Sequence, residues 1–121
     1  MAQLILYGTP ISTYVRTVRL LLEEIGTEYE LEGTNFLKGE TQSAAYLAKN
    51  PFGKVPALAV DEAVIYETIA ITSYLDTVFA NGRFSPTAPL LKARMQQIIG
   101  IIDSYLYPKA IGAVVIRPVG K

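Results

Sequence analysis

The hydrophobic period changes twice within the first 32 residues, and that change constrains the fold more than any other feature. Gln3-Leu-Ile-Leu-Tyr7 is a short apolar run with the composition of a buried strand. Gly8-Thr9-Pro10 interrupts it. Val15, Val18, Leu21, Leu22 and Ile25 then recur at helical spacing, with Ser12 and Thr13 where an N-cap belongs and Gly26 where a C-cap belongs. Thr27 to Glu32 alternates polar and apolar residues like a half-exposed strand. Strand, helix and strand in that order predict a parallel pair, since such a pair needs a crossover of this kind.

The rest of the chain extends this unit. Gly33 to Lys49 is polar and mixed, which predicts a loop with one short helix near Ser43 to Ala48. Val55 to Val60 and Ala63 to Ile65 predict a hairpin turning at Asp61-Glu62, without the Gly that the commonest two-residue turns carry. From Glu67 to Val78 the apolar positions Ile69, Ile71, Tyr74, Leu75 and Val78 suit a helix packed on a sheet. The predicted class is α/β, in the order βαβ, a short helix, then ββα. Asn81 to Pro89, with Gly82, Pro86 and Pro89, reads as a linker. Leu90 to about Tyr107 predicts a second helical segment, which Pro108 is expected to kink or end. Ala110 to Ile116 is apolar, and one helix cannot bury its own stripe. That stretch is expected to be adhesive, and the isolated chain to associate.

Composition narrows the chemistry. With 121 residues the chain fits one domain, or one domain and the start of a second, and with half of its residues apolar it can pack a core. Eleven basic residues balance eleven acidic ones, and no basic run occurs. Nucleic acid and anionic membrane surfaces are therefore not expected partners. Cysteine and histidine are both absent. Their absence excludes a disulfide, a cysteine nucleophile, a Cys-x-x-Cys redox pair, a histidine base and the usual zinc ligand sets, so no metal is expected. Chemistry must then use hydroxyls, carboxylates, amines or backbone, or a thiol brought by a ligand. No secretory leader and no apolar run of spanning length is visible, which makes the cytoplasm the default expectation.

Three motifs carry a resemblance. Asn50-Pro-Phe-Gly-Lys-Val-Pro-Ala-Leu58 is similar to the stretch through the cis-proline of glutathione S-transferases. Tyr66-Glu-Thr-Ile-Ala-Ile71, continuing to Leu75, resembles that family's Glu-Ser-x-Ala-Ile helix start. Gly8-Thr-Pro-Ile-Ser-Thr13, with Arg16 and Val18, resembles its serine-type classes, the plant phi class most of all. The motifs fall in the family's order and spacing over residues 3–79. The resemblance implies a thioredoxin-like glutathione-binding domain at 1–80, a linker at 81–89, and at 90–121 the truncated start of an all-helical domain. The helix through Asp103-Ser-Tyr-Leu-Tyr-Pro108 resembles the first helix of that second domain.

Each singled-out residue has a structural reading beside the functional one. Ser12 suits an N-cap, and the resemblance implies that it also donates a hydrogen bond to a glutathione thiolate. Thr13 is the second candidate for that task, and Tyr7, placed inside the first strand, the third. Glu67 and Thr68 would stabilise a helix start through the dipole and capping. In the family's pattern they would also hold the ammonium and carboxylate of the γ-glutamyl end, as helix starts hold anions. Val55, ahead of Pro56, would offer its backbone N–H and C=O to an extended ligand. Thr41 and Gln42 stand where phi-like chains often place His and Lys, so Lys38 or Lys54 would supply charge for the glycyl carboxylate. Arg16 and Arg19 fall on the polar face of the first helix, where solvation is the expected state.

The resemblance implies glutathione as co-substrate, a small electrophile as the second substrate, and a homodimer. Two other outcomes use the same fold: a non-catalytic glutathione-binding or interaction module, and a glutathione-dependent isomerase, lyase or dehalogenase. The missing cysteine argues against disulfide exchange of the glutaredoxin kind, because the protein supplies no thiol of its own.

Overall fold

The computed structural model describes residues 2–115, without the side chains of 112–115. Of the adhesive stretch expected from Ala110 to Ile116, Ile116 lies outside the described residues, and residues 112–115 are described as backbone alone. Contacts divide the chain into two units between Asn81 and Gly82.

The first unit is a four-stranded mixed sheet with helices. Its elements are β1 (Leu4–Tyr7), α1 (Thr13–Ile25), β2 (Glu30–Glu32), α2 (Ala44–Leu47), β3 (Ala57–Val60), β4 (Ala63–Tyr66) and α3 (Thr68–Phe79). Two single 3-10 turns, Phe36–Lys38 and Glu40–Gln42, lead into α2. The strand order is β2-β1-β3-β4. β2 runs parallel to β1, while β3 runs antiparallel to both β1 and β4. This is the thioredoxin-like arrangement expected of the βαβ-α-ββα order.

Strand alternation sorts the side chains into two layers. Leu4, Leu6 and Leu58 point to one face and pack with Val15, Val18 and Leu22 of α1 and with Ile71 and Leu75 of α3. Each such side chain contributes about 1.5–3 kcal/mol on burial, so this layer holds the unit together. Tyr7, Ala57 and Ala59 point to the other face, against Tyr46 of α2.

Local signals explain most of the boundaries. Ser12 adopts extended φ/ψ and its hydroxyl accepts from Val15 N–H, while Gly26 ends α1 at φ +79°, a left-handed position without cost for glycine. The β3–β4 turn forms without glycine because Asp61 takes φ +52°, which aspartate tolerates better than most residues. Asp61 is also tied to the start of β1. Its carboxylate accepts from Gln3 N–H at 2.9 Å and its own N–H donates to the Gln3 carbonyl at 3.0 Å. β2 is shorter than the alternation of 27–32 suggests, and β3 begins at Ala57 rather than Val55. Pro56 has no N–H to give a ladder.

The second unit contains α4 (Pro89–Ile101), with Pro89 in the first turn where its missing N–H costs nothing. The α-helical ladder stops at Ile101, ahead of Pro108. Wider, π-type turns continue over Ile102–Leu106 and Pro108–Val115. Tyr107 N–H reaches back five residues to the Ile102 carbonyl, so the spiral passes through the proline instead of ending there. No helix among the described residues is long and apolar enough to cross a membrane.

Candidate functional site

The register of the sheet brings three loops to one end. Tyr7 lies opposite Ala57, and Ala57 opposite Tyr66, so the last residue of β1, the first of β3 and the last of β4 form one row. The segments just beyond that row are Gly8–Ser12, Val55–Pro56 and Glu67–Thr68. Positions distant in sequence thus leave the sheet at the same edge. On the other side of Tyr7, Glu32 completes the row.

The β1–α1 loop is held tightly. Gly8 N–H donates to the Glu32 carbonyl at 3.1 Å and Thr34 N–H donates to the Gly8 carbonyl at 3.3 Å. A β-carbon on Gly8 would collide with Val15 Cγ2, so only glycine lets the loop pass this close to α1. Ser12 N–H donates to the Thr9 carbonyl at 3.1 Å, and the Ser12 hydroxyl oxygen accepts from Val15 N–H at 3.3 Å. Capping uses one lone pair, and the hydroxyl proton has no acceptor among the described residues. Ser12 can therefore cap α1 and donate outward at once. Thr13, the first residue of α1, is exposed. Arg16 is exposed, as expected, and its Nε also donates to the Pro10 carbonyl at 2.7 Å, which straps the loop from α1. Helical periodicity locates the arginine's face, but not the loop carbonyl that it reaches. Arg19 Nε lies 3.4 Å from the Tyr29 hydroxyl, a long hydrogen bond.

Tyr7 is buried in β1, and the Lys49 ammonium stands 5.1 Å above its ring. Burial raises its pKa above the ordinary value, with Glu32 and then Glu30 adding to the effect. Its phenol stays protonated at neutral pH and serves as core.

Val55-Pro56 is a cis peptide. The Val55 backbone N–H and C=O make no hydrogen bond among the described residues. The preceding turn is built on buried polar groups. Asn50 is 1% exposed, and its Nδ2 donates to the Lys54 carbonyl at 2.9 Å while its Oδ1 accepts from Phe52 N–H at 3.0 Å. Tyr46, pushed up to a pKa of about 12 by burial, donates its hydroxyl to the same carbonyl at 2.5 Å. Neither side chain was assigned a role by sequence reasoning. Asn50 opens the Pro-Phe-Gly-Lys-Val-Pro motif, but Tyr46 lies outside that motif in a polar, mixed stretch and carries no signal there.

Thr41 is buried, and Gln42 Nε2 donates to the Gly53 carbonyl at 3.4 Å. Gly53 takes φ +64°, and a side chain there would meet the Gln42 amide and the Thr41 carbonyl. Thr41 and Gln42 thus pack against the turn before Val55. Lys38 and Lys54 are both exposed, in a 3-10 turn and at that turn respectively.

The α3 start is unusual. Glu67 takes φ +76°, which costs a non-glycine residue about 1–3 kcal/mol, and its side chain does not cap the helix. The N–H groups of Thr68, Ile69 and Ala70 have no partner among the described residues, and the first turn carries no acidic side chain. Three free N–H groups at the positive end of a twelve-residue helix suit a carboxylate. Among the described residues no group of three or more acidic side chains is placed to hold a metal ion.

Comparison with known proteins places the chain in a family. Residues 2–77 match the family model of the glutathione S-transferase N-terminal domain. The chain is 43% identical to a probable glutathione S-transferase of Oryza sativa subsp. japonica, over 62% of this chain and 35% of that protein. It is 32% identical to glutathione S-transferase 3 of Zea mays, over 91% of this chain and 50% of that one. It therefore spans half or less of the length of these curated relatives. Among solved structures, a glutathione transferase homolog from Drosophila mojavensis with bound glutathione matches at a TM-score of 0.89 and 28% identity, over 95% of this chain and 53% of that one. Glutathione transferase F7 from Populus trichocarpa matches at a TM-score of 0.75 and 35% identity, over 93% of this chain and 54% of that one. With the family model matched over residues 2–77, the chain is a member of the glutathione S-transferase family through its N-terminal domain.

Proposed function

We propose that this chain binds glutathione at the end of its sheet and that Ser12 holds the ligand's sulfur as a thiolate for attack on a small electrophile. The observation that carries the reading is the shared row of Tyr7, Ala57 and Tyr66, from which Ser12, Val55 and Thr68 all emerge. The free N–H groups of α3 and the Thr68 hydroxyl receive the γ-glutamyl carboxylate, and Glu67 faces the adjoining ammonium. Val55 pairs with the ligand backbone by strand addition beside Pro56. Ser12, with Thr13 next to it, stands at the thiol. Lys54, exposed beside Val55, supplies charge for the glycyl carboxylate. The D. mojavensis homolog, whose structure carries glutathione, supports the ligand assignment.

The energetics suit a hydroxyl donor. A thiol with a pKa of about 8.5 is only about 3% ionised at pH 7. Lowering that pKa by two units takes about 2.7 kcal/mol. One hydrogen bond to a charged group supplies about 1.5–3 kcal/mol, and the α1 N-terminus about 0.3–1 more. No nucleophile from the protein is needed. The reading includes a homodimer in the cytoplasm, whose assembly sedimentation velocity checks.

Ultraviolet difference titration of bound glutathione tests the proposal. The unsubstituted chain should show a thiolate signal at neutral pH, and Ser12→Ala should lose it. Binding without that signal leaves a non-catalytic glutathione module, and absence of binding removes both readings.

A further inference from the structure

We propose that Tyr46 is a positioning residue that aims the Val55 N–H at the ligand by gripping the Lys54 carbonyl. The inference rests on the glutathione reading and names a device inside it. The Lys54 C=O and the Val55 N–H belong to one peptide unit. That unit is trans, since the cis bond is the next one along. In a trans peptide the two groups lie in one plane and point in opposite directions. Whatever fixes the carbonyl therefore fixes the direction of the N–H.

Two donors fix it. The Tyr46 hydroxyl reaches the carbonyl at 2.5 Å and Asn50 Nδ2 at 2.9 Å, which occupies both oxygen lone pairs. Both donors are themselves held. Tyr46 N–H donates to the Ser43 hydroxyl at 3.2 Å, at the start of α2. Asn50 N–H donates to the Tyr46 carbonyl at 2.9 Å, and its Oδ1 accepts from Phe52 N–H. Tyr46 is 4% exposed and Asn50 1%, so water does not compete for the carbonyl. The Lys54 side chain is exposed and takes no part in the grip. Val55 N–H is left pointing away from this cluster, without a partner among the described residues. Polarisation through the doubly bonded carbonyl makes it a better donor, and orienting it in advance removes an ordering cost from binding.

The test is Tyr46→Phe, which keeps the ring in its buried site and removes only the hydroxyl. Glutathione affinity is read by titration calorimetry, and backbone amides by 15N NMR of the free and bound chain. The expected result is a folded variant whose glutathione Kd is raised about three- to tenfold, the range of one neutral hydrogen bond. The free-state Val55 amide should be displaced while the Thr68 amide keeps its position, a contrast that general loosening would not produce. Unchanged affinity, or an unmoved Val55 amide, overturns the role of Tyr46 and leaves the glutathione reading intact. Absence of binding by the unsubstituted chain overturns the glutathione reading itself, and the positioning role with it. If Tyr46→Phe does not fold, Asn50→Asp removes the second donor and keeps the acceptor for Phe52 N–H. It should displace the same amide and weaken binding, and normal binding by that variant counts against the grip.

Discussion

Helices α1 and α3 start at the same end of the sheet, and the two starts are built in opposite ways. α1 is finished locally: Ser12 sits in relaxed extended geometry and caps the third helical residue, and Gly26 closes the far end. α3 is unfinished: Glu67 is held at φ +76°, no side chain caps it, and three N–H groups are left over. A helix start of this second kind persists only when its surroundings over-determine it. Here the β3–β4 hairpin delivers the chain at Tyr66, and Ile71 and Leu75 bury fully behind it. The difference teaches where each helix keeps its function. Under the proposed function, the working proton of α1 is the one that remains after capping, whereas in α3 the missing cap is itself the binding feature.

Four experiments break or sharpen that contrast, taken from the largest expected effect to the smallest. Gly8→Ala strikes the finished start. The new methyl meets Val15 Cγ2, and overpacking of this kind costs about 1–3 kcal/mol. Urea unfolding should show a lower midpoint with an unchanged slope, and a neutral result would mean that the loop is loose. Ser12 separates capping from thiol activation. Ser12→Ala should lose about 1 kcal/mol of stability along with the thiolate signal. Ser12→Asp should keep the stability, because aspartate caps as well as serine, yet still abolish the signal by charge repulsion. A thiolate signal in Ser12→Ala equal to that of the unsubstituted chain would reduce Ser12 to a cap.

At α3 the expected sign reverses. Glu67→Gly removes the strained φ and should raise stability by about 1 kcal/mol while weakening glutathione binding. A variant that binds as tightly as the unsubstituted chain would deny the Glu67 carboxylate any part in the site. The last effect is absent at neutral pH and shows only in alkaline solution. Tyr46 ionises at about 12 in the folded chain, above its ordinary value of 10, because burial disfavours the phenolate. The folded state then holds a proton that the unfolded state has lost, so stability falls as pH rises from 10 to 12. Thermal melts across that window should fall more steeply for the unsubstituted chain than for Tyr46→Phe, and parallel curves would place the hydroxyl in water.

Much of this was legible in the sequence, and the legible part shares a length scale. The apolar spacing from Val15 to Ile25, the Ser12 cap, the Gly26 stop and the two-residue turn at Asp61-Glu62 each depend on contacts within a few residues. Composition alone removed cysteine and histidine chemistry. Pro108 shows where a local rule is too simple. Proline does remove a hydrogen bond, yet wider turns carried the backbone through it.

What only the tertiary structure decided is what crosses the sheet. The order β2-β1-β3-β4 and its register put Tyr7, Ala57 and Tyr66 in one row, and no period in the sequence states that pairing. The Arg16 bond to Pro10 and the Tyr46 grip on Lys54 depend likewise on loops brought within reach of those side chains. Periodicity reports which face of an element is apolar. Partners across that face follow from packing the whole chain, so the strand–helix–strand opening and the motifs could be read directly while the pairing that brings the motifs together could not.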